Sequence, residues 1–232
     1  MRVTEIWRFP VKSMGGESLL DADVGAAGIV GDRGWGVFDV ESGTTLTARR
    51  APELLFASAR VIGGDVAVEL PDGQRIGEGD DAALSAWLGR EVELRPAGGE
   101  GGTYEAPLDF EHDADWVSWQ GPGDAFHDSP RARVSLVSTA SLGAWDRRRF
   151  RTNIVVDGAG EDELVGRTIS IGDVSLEVLK QIDRCVMVTR PQPGIDRDLD
   201  VLRTINAERN SLLAVGCVVA GEGQIALGNE VR

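Results

Sequence analysis

The sequence predicts a mainly β chain with a few short helices, barrel-like in architecture and built in two parts. Three observations carry that expectation. Short runs of alternating apolar and polar residues recur along the chain, turns rich in Gly, Pro and Asp separate them, and no regular strand–helix–strand rhythm appears.

The elements follow in order. "VTEIWRF" alternates and reads as a strand, "LLDADV" follows a turn at Gly15–Gly16, and "RGWGVFDV" runs into a turn at "ESGT". "DVAVEL" ends at "PDG", a sequence that favours a tight turn. One helix is marked by "DDAALSAWLGR": Asp80 or Asp81 caps it, Leu84, Trp87 and Leu88 share a face, and Gly89 stops it. The strand "EVELRP" comes next. From Ala97 to Pro130 the alternation gives way to Gly-, Pro- and acid-rich sequence around Trp116 and Trp119, which reads as a linker or long loop. Strands resume at "RVSLVS", "TNIVV", "TISIG", "VSLEVLK", "CVMVT", "SLLAVGCVV" and "GQIAL", with a hairpin around Gly172–Asp173 and a short helix near "LDVLRTINAER". The expected division is therefore 1–96, a linker over 97–130, and 131–232.

Composition narrows the function. In 232 residues the hydrophobic share is 42%, enough for a sizeable core, which excludes global disorder. Asp and Glu outnumber Lys and Arg by 38 to 24, for a formal charge of -14, so a nucleic-acid backbone or an anionic membrane would be repelled. No apolar run approaches the roughly 20 residues of a membrane helix. The opening "MRVTEIWRFPVK" alternates like a strand and lacks the basic-then-apolar order of an export signal, so a cytoplasmic protein is expected. Two cysteines do not make a disulfide framework, and two histidines, His112 and His127, are too few for a conventional zinc site.

Four stretches place cations or hydroxyls where a strand meets a turn: Lys12 and Ser13, Asp32 and Arg33, Ser138 with Thr139 and Ser141, and the basic run Arg147 to Arg151 ahead of Asn153. The third reads as a helix start, a natural seat for an anion. Each also has a plain structural reading, as a loop, a local ion pair, a helix cap or a solvated face. The cysteines differ. Cys217 lies in "LLAVGCVVAG", an apolar run in which a cysteine is a small hydrophobe. Cys185 follows Asp183 and Arg184, and a neighbouring cation favours the thiolate, the form that reacts and binds metals. Local sequence leaves Cys185 open between that role and a buried strand position. His127 beside Asp128 invites a hydrolase reading, but no nucleophile elbow is present.

Taken together, "FPVKSMGG", "GIVGDRGWGVFD" and "LTARRAPEL" resemble the MOSC N-terminal β-barrel domain. "FHDSPRARVSLVSTASL", "RFRTNIVVDG" and "IGDVSLEVLKQIDRC" resemble the MOSC domain. The resemblance extends to the mitochondrial amidoxime-reducing component and its bacterial counterparts. It implies a mainly β fold in which an N-terminal barrel-like domain precedes a MOSC barrel, and a molybdenum cofactor (Mo-molybdopterin) with Cys185 as its metal ligand. It assigns Lys12, Ser13, Arg33, Thr139, Arg151, Asn153 and Arg184 to cofactor contacts, chemistry suited to a phosphate and a hydrogen-bonding ring. The implied activity is reduction of hydroxylamines and amidoximes, with Asp183 as a proton relay. The alternative is a carrier of cofactor or sulfur through a Cys185 persulfide. The loop "VTRPQPG" departs from the family's Thr-Thr-x-Asp-Pro, and Thr152 stands where proline is frequent. Electrons are expected from a separate ferredoxin or flavoprotein, docking on Arg147 and Arg148, because no dinucleotide fingerprint or cluster-binding cysteines appear.

Overall fold

A computed structural model describes residues 1–99, 101–107 and 115–232, so His112 lies outside the described residues. The strands of the first half are β1 (Val3–Arg8), β2 (Glu17–Leu19), β3 (Asp21–Gly25), β4 (Gly28–Ile29), β5 (Trp35–Asp39), β6 (Ser58–Ile62), β7 (Asp65–Glu69) and β8 (Arg75–Ile76). After helix α1 (Asp81–Leu88) come β9 (Val92–Pro96), β10 (Thr103–Pro107) and β11 (Trp116–Gln120). The remainder holds β12 (Val134–Ser138), α2 (Thr139–Leu142), β13 (Ile154–Val156), β14 (Thr168–Ile171), β15 (Val174–Asp183), α3 (Asp200–Arg209), β16 (Leu212–Gly221) and β17 (Gly223–Ala226). The fold is mainly β, as expected. Among the described residues no helix is long and apolar enough to cross a membrane.

The chain divides into two compact units, each discontinuous in sequence. The first comprises Met1–Arg8, Ser18–Val30 and Ser129–Arg232; the second comprises Phe9–Glu17 and Gly31–Asp128.

The first unit is organised by a seven-stranded sheet in the order β14-β15-β16-β12-β13-β1-β2, with β12 and β13 parallel. Its central strands read as unbroken apolar runs because both faces are covered. Leu136, Ile154, Val215 and Cys217 face a core shared with Val24 of β3 and Ile225 of β17. Val137, Val155 and Leu213 face the opposite way, against Val201 and Ile205 of α3. The hairpin at Gly172–Asp173 forms as expected, with Gly172 at φ 57° and no room for a side chain, since a Cβ there would come 2.5 Å from the Gln224 carbonyl.

The second unit packs β5–β9 and β6–β7–β8 around Val37, Leu54, Val68 and Leu94, with the helix α1 contributing fully buried Leu84. Gly89 ends α1 in the left-handed conformation, as its sequence predicts.

Two expectations are corrected. The stretch read as a linker or long loop carries an antiparallel ladder, β10 against β11, from Thr103↔Gln120 to Pro107↔Trp116. Tyr104 anchors it at zero exposure, and a Cβ at Gly121 would come 2.4 Å from its ring, so glycine here permits close packing rather than a loose chain. "CVMVT" is not a strand. β15 ends at Asp183, whose partner Leu212 is the first residue of β16, so the chain beyond has nothing to pair with. Residues Val186–Thr189 instead form a 3₁₀ turn, with Val188 N–H donating to the Cys185 carbonyl and the Thr189 hydroxyl to the Val186 carbonyl.

Candidate functional site

In the first unit the end of β15 carries three of the expected residues, Asp183, Arg184 and Cys185. Arg184 donates its backbone N–H to Ser211 O at 2.7 Å, its Nε to Leu213 O at 2.9 Å and its Nη1 to Phe150 O at 3.0 Å. The guanidinium is thereby fixed one residue before Cys185, which is half-buried at the mouth of the 3₁₀ turn. Asp183 points outward, 75% exposed, and pairs with Lys180 at 3.1 Å. Its desolvation is more than offset by the Lys180 hydrogen bond, so its carboxyl lies below the usual range.

Arg151 follows the 3₁₀ turn Arg147–Arg149 in the left-handed region, at φ 52°. Ser13 (φ 70°) and Arg33 (φ 51°) share that conformation, which costs a side-chain-bearing residue on the order of 1 kcal/mol. Strained backbone at three of the expected positions suits a functional role. Asn153 is buried and spent on the framework: its Oδ1 accepts from Ser135 N–H and Oγ, and its Nδ2 donates to Trp7 O, tying β13 to β12 and β1. Thr139 is exposed at the first turn of α2, where the Ser138 hydroxyl accepts from Ser141 N–H. The anion at this helix start is the protein's own. Burial raises the Glu161 carboxyl, and hydrogen bonds from Ser138 and Ser141 outweigh that, although neither Glu161 oxygen has a partner in good alignment.

The basic run is not an open patch. Arg147 pairs with Glu5 and lies 3.7 Å over the Trp7 ring, and Arg148 is held in a fork by Asp146. Arg149 is buried. It donates to the carbonyls of Val188, Arg190 and Asp196, clamping the segment after Cys185. Sequence reading missed this role, since a buried arginine satisfied by carbonyls leaves no charge pattern to find.

In the second unit Lys12 is buried, its Nζ donating to Phe126 O at 2.8 Å and Asp128 Oδ1 at 3.0 Å, 3.9 Å over the Tyr104 ring. Burial lowers its ammonium from 10.5 to about 8, with Asp128 pulling the other way. Asp128 keeps 57% of its side chain exposed. Partial desolvation opposes its ionisation, but Lys12 and Arg49 hold it well below the usual carboxylate range. Ser13 Oγ accepts from Ala48 N–H, and Arg33 pairs with the buried Asp32, which also accepts from Phe9 N–H at 2.7 Å. The Asp32–Arg33 ion pair thus supports its turn. Arg49 and Asp128 were not among the expected site residues, although both lie in quoted motifs.

Comparison with known proteins bears on the family and the fold. The model of the MOSC N-terminal beta barrel domain matches residues 1–94, and that of the MOSC domain matches residues 123–232. No curated protein matches the sequence. Among solved structures, the YuaD protein of Bacillus subtilis is similar at 12% identity and TM-score 0.50, over 99% of this chain and 93% of that one. YiiM from Geobacillus stearothermophilus is 13% identical with TM-score 0.36, over 57% of this chain and 72% of that one.

Proposed function

The chain belongs to the MOSC domain family, with the MOSC N-terminal beta barrel domain ahead of the MOSC domain, and on that premise we propose that it binds molybdenum cofactor through Cys185 and reduces N-hydroxylated compounds. The observation that carries this reading is the contrast between its thiols: Cys185 is accessible and flanked by a pinned cation, whereas Cys217 is sealed in the core.

The donor set suits the group. Cys185 offers the soft sulfur donor that such a metal favours, and the cofactor would supply its own sulfur ligands. Thr152 Oγ1 and Arg190 Nε are buried without a hydrogen-bond partner, and such atoms invite a ligand. Cys185 would hold the metal. Arg184, Arg151 and Thr139, in the same unit, would serve the phosphate and ring, while Asn153 keeps β13 in register.

When bound, the cofactor supplies two-electron oxygen-atom transfer. The overall reaction takes R–NHOH, two electrons and two protons to R–NH2 and water. The Arg149 clamp fixes the backbone that follows Cys185. Asp183 is ionised, solvent-facing and paired with Lys180, a position from which it can pass protons from water. The electrons come from a separate ferredoxin or flavoprotein.

The test is molybdenum content of the protein made in a cofactor-replete cell, followed by reduction of benzamidoxime with a chemical reductant. Bound metal and turnover in wild type, both lost in Cys185→Ser, are expected. Bound metal without turnover overturns the reductase and supports the carrier role. Absence of metal overturns both.

A further inference from the structure

Beside Lys12 lies a second cation that none of the expected contacts include. Arg49 Nη1 is 3.6 Å from the same Asp128 Oδ1 that Lys12 approaches at 3.0 Å. The two cations are withdrawn, with side chains 16% and 7% exposed, while the carboxylate between them is 57% exposed. The usual order of a surface ion pair, with long cations reaching into solvent, is inverted: the anion is the outermost member.

The floor beneath is built by the β10–β11 hairpin. Tyr104 lies under Lys12 at 3.9 Å, and Trp119 lies under Arg49 at 5.4 Å. The two rings meet edge to face at 5.7 Å, and Trp119 Nε1 donates to the Asp128 carbonyl at 3.3 Å. Aromatic faces lie under both cations, and both cations converge on the position of the Asp128 carboxylate. A carboxylate offers two oxygens on a short side chain; a phosphate monoester offers three and more charge, and can engage an arginine fork and an ammonium together.

We propose that Asp128 is a resident counter-anion covering a phosphate-monoester site formed by Lys12 and Arg49, and that an incoming phosphate displaces it. Loading then exchanges one anion for another at the same position. The inference stands apart from the cofactor reading, since it names only a phosphate monoester and concerns the second unit alone.

Inorganic phosphate tests it without metal. Calorimetric titration at pH 7 and constant ionic strength, with chloride as the control anion, compares wild type with Asp128→Asn, Arg49→Gln and the double variant. Asp128→Asn is expected to bind phosphate about tenfold more tightly, the scale of one like-charge repulsion removed. Arg49→Gln should weaken binding, and the double variant should lose the gain. Phosphate affinity in Asp128→Asn equal to or below wild type overturns the proposal, as does a gain that survives Arg49→Gln. Should Asp128→Asn fail to fold, Asp128→Ser takes its place under the same criteria. Cys185→Ser should leave these titrations unchanged, so failure at the phosphate site and failure of the molybdenum reading are separable.

Discussion

Cys217 lies within β16 and Cys185 just beyond the end of the neighbouring β15, and the difference between them lies in where strand pairing stops. Cys217 is paired on both sides, opposite Val134 of β12 and Val178 of β15, with no exposure. Burial pushes its thiol up to about 12, so it stays protonated under ordinary conditions. Cys185 sits two residues past the last β15–β16 pair, where the chain leaves the sheet and the thiol reaches partial exposure. The same side chain is inert within a ladder and available at its end.

The strongest way to break this comparison is Cys185→Ser. Loss of about a hundredfold or more in benzamidoxime reduction is expected, with an unchanged unfolding midpoint. Retained activity would remove the distinction between the thiols.

Next in size is the clamp. Arg149→Ala removes three donations to carbonyls around the Cys185 turn and should cost on the order of 3 kcal/mol in urea unfolding. Hydrogen exchange should quicken across 186–196 more than in β12 or β13. Uniform exchange throughout would show that the arginine does not act on that segment.

Lys12 sharpens the contrast, because the burial that raises a thiol lowers an ammonium. Its value is about 8 in the folded chain against 10.5 in the unfolded reference. Between those values the unfolded chain holds the extra proton, so stability rises with pH across that window, by on the order of 3 kcal/mol in full. Below pH 8 both states are protonated and the cost of the buried charge is fully present. The stability difference between wild type and Lys12→Met, measured from pH 8 to 10.5, should move in favour of wild type; a flat difference would refute the burial argument.

The smallest effect is Cys217→Ala, about 1 kcal/mol of stability with activity intact. Iodoacetamide at pH 8 should label one thiol per folded chain and two after unfolding. Rapid labelling of both in the folded chain would contradict the sealed position of Cys217.

Much of the fold was legible. Alternation marked β1, β7 and β9, the apolar runs marked β12 and β16, and the terminal Gly bounded α1, although the expected Asp cap does not form: Asp80 and Asp81 accept instead from the N–H groups of Gly77 and Leu94. What misled was local pattern without knowledge of partners. "VMVT" has a strand-like pattern, yet no neighbouring strand reaches it. The sequence around Tyr104 reads as loop, yet its glycines let two strands close over a buried ring. Within the candidate site, Arg184 and Cys185 were visible through their adjacency and the family motif. Arg149 and the Asp128 cover were not, because both depend on residues far apart in the chain.

The sequence by itself determined the mainly β class, the family, and which cysteine to suspect. These follow from composition, period and adjacency, which survive without coordinates. Only the tertiary structure decided that the basic run is spent on Glu5, Asp146 and carbonyls, that Asn153 serves the sheet, and that Lys12 and Arg49 converge on one carboxylate. Those outcomes depend on burial and on contacts made across the fold, and a charged side chain takes its partner from whatever folding brings within reach.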